Sequence, residues 1–342
     1  MTIQIDVAVI IGRFQPFHQA HAGLLKQALA SAPKVVVVLG SAFHARSAKN
    51  PFTWQERQAM IAATLTPDDA ARVSFVAVRD YYDDTRWAQY VCRKVEEIGG
   101  SKHIALVGYF KDASSYYLQH FPQWQFITAK SMMDVDATAI RQIFFEAENM
   151  DVSLSVLAEQ VALPVRQFLK AWAKLPYYAP MQKEHQQISG YKDAWKHAPY
   201  PPVFVTVDAV VVAAGHVLLV QRGGFPGNGL WAIPGGFLDQ RERLLHAAIR
   251  ELREETQFGL FTSSLESALV DIKVFDHPDR SSRGRTITHA HFFDLKTEGL
   301  SDVKGSDDAM HAKWVPIGDL LAMEEEFFED HFHILDYFLK VT

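Results

Sequence analysis

Residues 12–21 read Gly-Arg-Phe-Gln-Pro-Phe-His-Gln-Ala-His. They follow an apolar run, Val7-Ala8-Val9-Ile10-Ile11, with the pattern of a buried strand. They precede a helical pattern that carries Leu24, Leu25, Ala28 and Leu29. A glycine turn between strand and helix brings backbone N–H groups and a helix N-terminus to one point, which favours an anion. His18 and His21 stand where that helix begins, and Arg13 stands just before them. Cations at a helix start suit a polyphosphate held while charge builds on it. The plainer reading is a pair of surface or satisfied histidines. The strand-turn-helix setting and Arg13 favour the anion site.

Downstream, strands and helices alternate. Strands are predicted over 5–11, 35–39, 73–78, 104–107 and 125–127, and helices over 20–30, 53–65, 86–98, 113–120 and 138–147. Apolar strands separated by amphipathic helices imply a doubly wound parallel sheet covered on both faces. Ligands of such sheets bind at the carboxyl ends of the strands, near the switch point. The loops there carry Gly40-Ser41-Ala42 followed by Asn50-Pro51-Phe52-Thr53 and Arg57. They also carry Asp80-Tyr81-Tyr82-Asp83-Asp84 with Trp87, then Gly108-Tyr109-Phe110-Lys111-Asp112, then Asp136-Ala137-Thr138-Ala139-Ile140-Arg141. Thr138 near a helix start with Arg141 one turn on is a second phosphate-binding arrangement. Asp136 or Thr138 also reads as a simple helix cap, and Trp87 as core.

With 342 residues, two domains are expected. Forty acidic against 34 basic residues argue against a broad nucleic-acid footprint. One cysteine, Cys92, excludes a disulfide framework. No apolar run has membrane-spanning length and the first residues carry no charged-then-apolar leader, so a cytoplasmic setting without membrane partners is expected.

Four ordered blocks resemble the archaeal-like nicotinamide mononucleotide adenylyltransferases of the nucleotidylyltransferase superfamily. They are residues 12–21, the Gly40-Ser41-Ala42 and Asn50-to-Arg57 block, residues 107–124, and Ala137-to-Arg141. One departure is Ala20, where the family has glycine. The resemblance implies a Rossmann-like fold and attack of the 5′-phosphate of nicotinamide mononucleotide on the α-phosphate of ATP, giving NAD and pyrophosphate. It assigns His18, His21, Arg13 and Arg141 to the triphosphate and its transition state. It places Gly12, Phe14, Gly40, Ser41, Asn50, Arg57 and Thr138 around the nucleotides. Trp87 would stack on the nicotinamide ring. Lys111 either reaches a phosphate or is a solvated lysine. Magnesium bridged by the phosphates is implied.

In the middle, residues 151–161 and 164–172 read as amphipathic helices. A polar segment then runs to Pro199 and the Pro201-Pro202 pair. The expected division is 1–184 for the first domain, 185–202 for a linker and 203–342 for the second domain.

The second half opens on paired strands, 203–213 and 216–221, around Ala214-Gly215. Residues 236–258 read Gly-Phe-Leu-Asp-Gln-Arg-Glu-Arg-Leu-Leu-His-Ala-Ala-Ile-Arg-Glu-Leu-Arg-Glu-Glu-Thr-Gln-Phe. At about 100° per residue, Glu251, Glu254 and Glu255 share one face of a helix. Leu245, Ala248, Ile249 and Leu252 centre on another. Three converging carboxylates repel one another unless a hard divalent cation intervenes. The alternative is a solvated acidic face. The stretch resembles the Nudix box, which implies an α/β/α Nudix fold over 203–340. It also implies Mg²⁺ or Mn²⁺ on the three glutamates, with Glu254 and Glu255 serving catalysis and Arg250 orienting a glutamate. Gln257 departs from the box glycine, and Gly259 is expected to take over the turn. Asp279-to-Ile287, with Arg283 and Arg285, resembles the arginine run of ADP-ribose pyrophosphatases, and a solvated basic loop is the competing reading. The resemblances imply a bifunctional enzyme taking ATP, nicotinamide mononucleotide and ADP-ribose as partners, with a homo-oligomer allowed. The alternative for the second half is a non-hydrolytic ADP-ribose or NAD sensor, or hydrolysis of another nucleoside diphosphate derivative. Residues 317–339 are expected to be helical, with His331 and His333 as surface or packing residues.

Overall fold

The computed structural model describes residues 4–100, 103–109, 113–129 and 135–342. The chain forms two compact units, Met1–Gln182 and Lys183–Thr342. Among the described residues no helix is long and apolar enough to cross a membrane.

The first unit is built on β1 (Val7–Gly12), α1 (Gln19–Ser31), β2 (Lys34–Leu39), α2 (Trp54–Ala62), α3 (Pro67–Ala70), β3 (Val73–Ala77), α4 (Asp84–Gly99), β4 (Ile104–Gly108) and β5 (Gln125–Thr128). The strand order is β3-β2-β1-β4-β5 and every pairing is parallel. The near-continuous apolar runs follow from burial on both faces. Ala8 and Ile10 pack on one side of the sheet with Val35 and Val37, and Val7 and Val9 pack on the other with Val36, Val38 and Val91. Each such Val or Ile contributes about 1.5–3 kcal/mol of burial. The order reverses between β1 and β4, so a crevice is expected beyond their carboxyl ends.

The helices after β5 are α5 (Ala137–Phe145), α6 (Met150–Val156), α7 (Leu163–Trp172) and α8 (Tyr178–Trp195). The helix expected over 151–161 stops at Val156, because Ala158 and Gln160 turn back onto Ser155 and Leu157. The helix expected over 113–120 is a 3-10 helix. The stretch expected as a linker is helical as far as Trp195. Within the first unit, Tyr178 donates to the Phe144 carbonyl at 2.6 Å and Gln182 to that of Phe145 at 3.0 Å. Within the second, Glu184 accepts from the Gly227 N–H at 3.1 Å.

The second unit is a mixed sheet of β6 (Val203–Ala213), β7 (His216–Arg222), β8 (Trp231–Ala232), β9 (Gly235–Phe237), β10 (Leu269–Phe275), β11 (Arg285–Asp294) and β12 (Ala309–Pro316). The order is β10-β11-β6-β7-β12, with β9 on β6 and β8 on β7. Helix α9 (Leu244–Thr256) buries Ala247, Ala248 and Leu252 against Val207, Ala209 and Val211 of β6 and Phe293 of β11. Strand β11 takes in Arg285, Thr286 and Ile287 at the end of the arginine run. After α10 (Thr262–Ala268), the region expected as one helix over 317–339 divides into a 3-10 helix, Ile317–Glu326, and α11 (His331–Leu339). The break arises because Phe327 bridges to Trp231, and Phe328 donates to the Trp231 carbonyl at 2.9 Å.

Candidate functional site

In the first unit the expected residues gather at the carboxyl end of β1. His18 ends the turn, and its ring stacks on that of His21 at 3.6 Å. Phe14 and Phe17 wall the pair, with Phe14 edge-on to His21 at 4.8 Å. Gly12 is needed here, because a Cβ on it would meet the Phe14 ring at 2.9 Å. The His21 Nδ1 is buried with no hydrogen-bond partner. Burial, and then the neighbouring His18, hold His21 well below the usual histidine pKa. Arg13 is exposed beside the turn. Arg141, from α5, donates to the Gln15 carbonyl at 2.7 Å and to Thr138 Oγ1 at 3.2 Å. Asp136 caps α5 by accepting from the Thr138 N–H. Arg13, the histidines, Thr138 and Arg141 therefore surround one turn.

Other expected residues lie behind it. Arg57 is 1 % exposed. Its Nη1 donates to the carbonyls of Arg13 at 2.6 Å and Gly40 at 2.7 Å, and its Nη2 to that of Ser41 at 3.3 Å. Burial lowers its pKa to about 10. It pins the ends of β1 and β2 from beneath. Ser41 donates its hydroxyl to Asp80 at 2.7 Å, and His44 meets the same carboxylate at 3.1 Å. Asn50 turns back on Ser47, and Trp87 is half-buried edge-on to Tyr117 and Phe121. Lys111 lies outside the described residues. Sequence reasoning missed Gln15, whose amide clasps the Phe52 backbone through two bonds of 2.8 and 3.1 Å. Its place inside the Gly12–His21 block was the available signal.

In the second unit the acidic face of α9 lies against β9. Arg250 Nε donates to Glu242 at 3.1 Å, and its Nη1 meets Glu251 at 2.8 Å and Glu254 at 2.9 Å. These bonds, Glu242 first, raise the Arg250 pKa. A Cβ on Gly236 would lie 2.4 Å from Glu251 Oε1, so glycine lets the β9 backbone approach the carboxylate. Glu255 is buried and accepts from the Gly235 N–H at 2.9 Å. Burial and contact with Asp308 push its carboxyl up to about 9. Asp308, just before β12, was not found from sequence, since nothing local marks it. The fold delivers it, as Lys304 and Ser306 donate backbone bonds to Thr256 and Glu255.

The donor set, all carboxylate oxygen, fits a hard divalent cation. The Glu255 carboxyl is raised first by burial and then by the Asp308 carboxylate beside it. Among the described residues no three such side chains converge on one point, since Arg250 draws Glu251 and Glu254 to itself. Arg283 sits 5.0 Å from the Phe237 ring centre, and Arg222 sits 4.2 Å from that of Phe328. Burial, and then Arg283, lower the Arg222 pKa. Two arginines thus stand near the carboxylates, of which sequence reasoning found only Arg283. Arg285 instead donates to the Asp276 carbonyl and closes its loop. Gln257 itself takes the left-handed turn that ends α9, at φ +51°, so Gly259 does not take it over. His331 is a buried packing residue that accepts from the Ile233 N–H at 3.0 Å, and His333 is also buried.

Residues 9–143 match the Cytidylyltransferase-like family and residues 202–338 the NUDIX domain family. A nicotinamide/nicotinic acid mononucleotide adenylyltransferase of Acinetobacter baylyi is 38% identical over 185 residues, 54% of this chain and 95% of that one. An ADP-ribose pyrophosphatase of Methanocaldococcus jannaschii is 31% identical over 143 residues, 41% of this chain and 79% of that one. The crystal structure of a bifunctional NMN adenylyltransferase/ADP ribose pyrophosphatase from Francisella tularensis, complexed with AMP and a manganese ion, is 35% identical. It covers 98% of this chain and 99% of that one, with a TM-score of 0.90.

Proposed function

The chain belongs to the family of bifunctional nicotinamide mononucleotide adenylyltransferase/ADP-ribose pyrophosphatases, and from that premise we propose that it makes NAD in its first unit and hydrolyses ADP-ribose in its second. The observation that supports the reading is the opposite make-up of the two sites. The first collects Arg13, His18, His21 and Arg141 around a helix start, and the second collects Glu251, Glu254, Glu255 and Asp308.

In the first unit, an oxygen of the mononucleotide 5′-phosphate attacks the α-phosphorus of ATP, and the bond to the pyrophosphate leaving group breaks. The attacking group is already anionic, so the protein's work is placement and charge neutralisation. His21, with its unpartnered buried nitrogen, gains a partner when a phosphate oxygen enters. Arg13 and Arg141 flank the triphosphate, and Mg²⁺ or Mn²⁺ arrives with ATP as part of the substrate. Arg57 and Gln15 hold the loops from behind.

In the second unit, hydrolysis adds water across the diphosphate and gives AMP and ribose 5-phosphate. Glu251, Glu254 and Glu255, with Asp308 alongside, would hold Mg²⁺ or Mn²⁺. The ion would supply charge neutralisation and a more acidic water. Arg250 orients the glutamates, and Arg283 and Arg222 neutralise the diphosphate oxygens.

The test is a pair of assays on one preparation: NAD formation from ATP and nicotinamide mononucleotide, and AMP release from ADP-ribose. Glu254→Gln is expected to abolish AMP release and leave NAD formation unchanged. Loss of both together would defeat the two-site reading.

A further inference from the structure

The loop that carries Arg283 is tied to the break between the 3-10 helix Ile317–Glu326 and α11. Arg280 and Asp330 form a buried fork, in which Nε donates to Oδ2 at 2.8 Å and Nη2 to Oδ1 at 2.9 Å. Asp330 stands at the N-cap of α11, yet its side chain makes no cap bond. Its neighbour Glu329 gathers the next two residues of the loop on one oxygen. Oε1 accepts from the Ser281 hydroxyl at 3.0 Å, the Ser282 N–H at 2.9 Å and the Ser282 hydroxyl at 3.3 Å. Glu329 does this from a left-handed backbone, φ +44°, which favours glycine and costs any residue with a Cβ. Such strain persists where the surroundings hold it in place, and it clusters at functional sites.

The contacts continue to Arg283. The Ser281 hydroxyl, held by Glu329, meets the Arg283 N–H at 3.3 Å and its Nε at 3.5 Å. One serine oxygen therefore sets both the backbone and the root of the guanidinium. The guanidinium carbon lies 5.0 Å from the Phe237 ring centre and 6.0 Å from that of Phe328. With Nε turned to Ser281 and apolar rings beside it, the edge formed by Nη1 and Nη2 is the part that suits an anion. The Phe237 carbonyl accepts from Arg250 Nη2 at 3.3 Å, and Arg250 also holds Glu251 and Glu254. The aimed arginine is thus next to the acidic face of α9. Burial and then Arg283 lower the Arg222 pKa, and Asp308 and Glu329 oppose them, so the Glu329 charge also eases the crowding of the two arginines.

We propose that Glu329 is a positioning residue for ADP-ribose hydrolysis, aiming the Arg283 guanidinium at the diphosphate through Ser281. Because this role rests on the ADP-ribose reading of the second unit, its test separates binding from turnover.

ADP-ribose binding to the full chain is measured by calorimetry without metal, and kcat and KM for AMP release are measured with Mg²⁺. Glu329→Gln keeps the size of the side chain and removes its charge, and Ser281→Ala removes the hydroxyl between it and Arg283. Each is expected to weaken binding and raise KM roughly tenfold, the effect of one charge-assisted hydrogen bond lost. The change in kcat should stay within about threefold. Arg283→Ala should weaken binding as much, and Glu329→Gln added to it should cost nothing further, because the two act as one unit. Glu329→Gly suits the left-handed turn but lacks the carboxylate. It should fold and show the same rise in KM, which a role confined to the turn would not give. Circular dichroism confirms that each variant is folded. A Glu329→Gln chain that binds and turns over like the parent would overturn the proposal, as would a full further loss when that change is added to Arg283→Ala. A parent chain that neither binds nor cleaves ADP-ribose would defeat the reading of the second unit and this proposal with it.

Discussion

Arg57→Lys isolates what a buried guanidinium does for the first site. The wild-type side chain meets the carbonyls of Arg13 and Gly40 at 2.6 and 2.7 Å and reaches that of Ser41 at 3.3 Å. Lysine keeps the positive charge but replaces a planar fork of donors with one point donor on a shorter stem. It can satisfy one strand end and leaves the other unmet. A lost hydrogen bond to a charged group costs about 1.5–3 kcal/mol, so the first unit should lose about 2 kcal/mol of stability. The catalytic effect comes from displacement, because Arg13 and Ser41 sit on the freed loops. A misplacement of about 1 Å costs on the order of a hundredfold, or about 2.7 kcal/mol of barrier. The assay is kcat/KM for NAD formation with ADP-ribose hydrolysis as the internal reference, since Arg57 lies wholly within the first unit. A folded Arg57→Lys chain that keeps NAD formation within threefold would refute the argument. Equal loss of both activities would also refute it, by pointing to general unfolding.

Four other outcomes follow from the geometry. Gly236→Ala places a methyl carbon 2.4 Å from the Glu251 carboxylate, the mobile end of a side chain, so the protein should fold while ADP-ribose hydrolysis falls on the order of a hundredfold. By contrast, the new carbon in Gly235→Ala would meet the Val207 carbonyl at 2.3 Å, and soluble yield should separate the two. Gln257→Gly should stabilise the second unit by about 0.5–1 kcal/mol by relieving a left-handed non-glycine turn, read as a Tm rise of a few degrees; an unchanged or lower Tm would count against it. His21 is held neutral by burial, so its contribution to stability is present above about pH 6.5. As pH falls below that value the unfolded chain takes up the proton first, and stability drops by up to about 1.4 kcal/mol per pH unit. Denaturant midpoints from pH 8 to pH 5 should fall less steeply in His21→Gln, and parallel curves would exclude His21 as the source.

What the sequence made legible was what repeats or what must be glycine. The inner strands β1, β2 and β4 are largely runs of Val, Ile and Leu because both faces are covered, and α9 shows a stripe of Ala, Ile and Leu opposite its glutamates. Their identity could be read without knowing their neighbours. Arg57 was legible as a polar residue after a strand, but the carbonyls its Nη atoms meet at the strand ends are 16 to 44 positions away, and carbonyls leave no trace in a sequence. Asp308 was hidden for a related reason. It lies in irregular chain and is tied to α9 through main-chain bonds at Thr256 and Glu255. The break at Phe327–Asp330 escaped periodicity because a bridge to Trp231, almost a hundred residues earlier, overrides local helical preference.

The two sites handle the same kind of bond with opposite fixed charge, and their reactions explain the difference. Adenylyl transfer brings a phosphate monoester up to a triphosphate, two anions that repel each other. Protein cations at a helix start lower that repulsion without adding further anions. Hydrolysis brings up neutral water, so the difficulty lies in making water reactive and in stabilising the two phosphates that part. Carboxylates are the donors that suit a hard divalent cation and so the first need, and under the proposed reading Arg222 and Arg283 serve the second. The raised pKa of Glu255 and the lowered pKa of His21 both come first from burial, which disfavours the charged form of each. Exchange of function between the sites would therefore require reversal of their charge and not merely a change of shape.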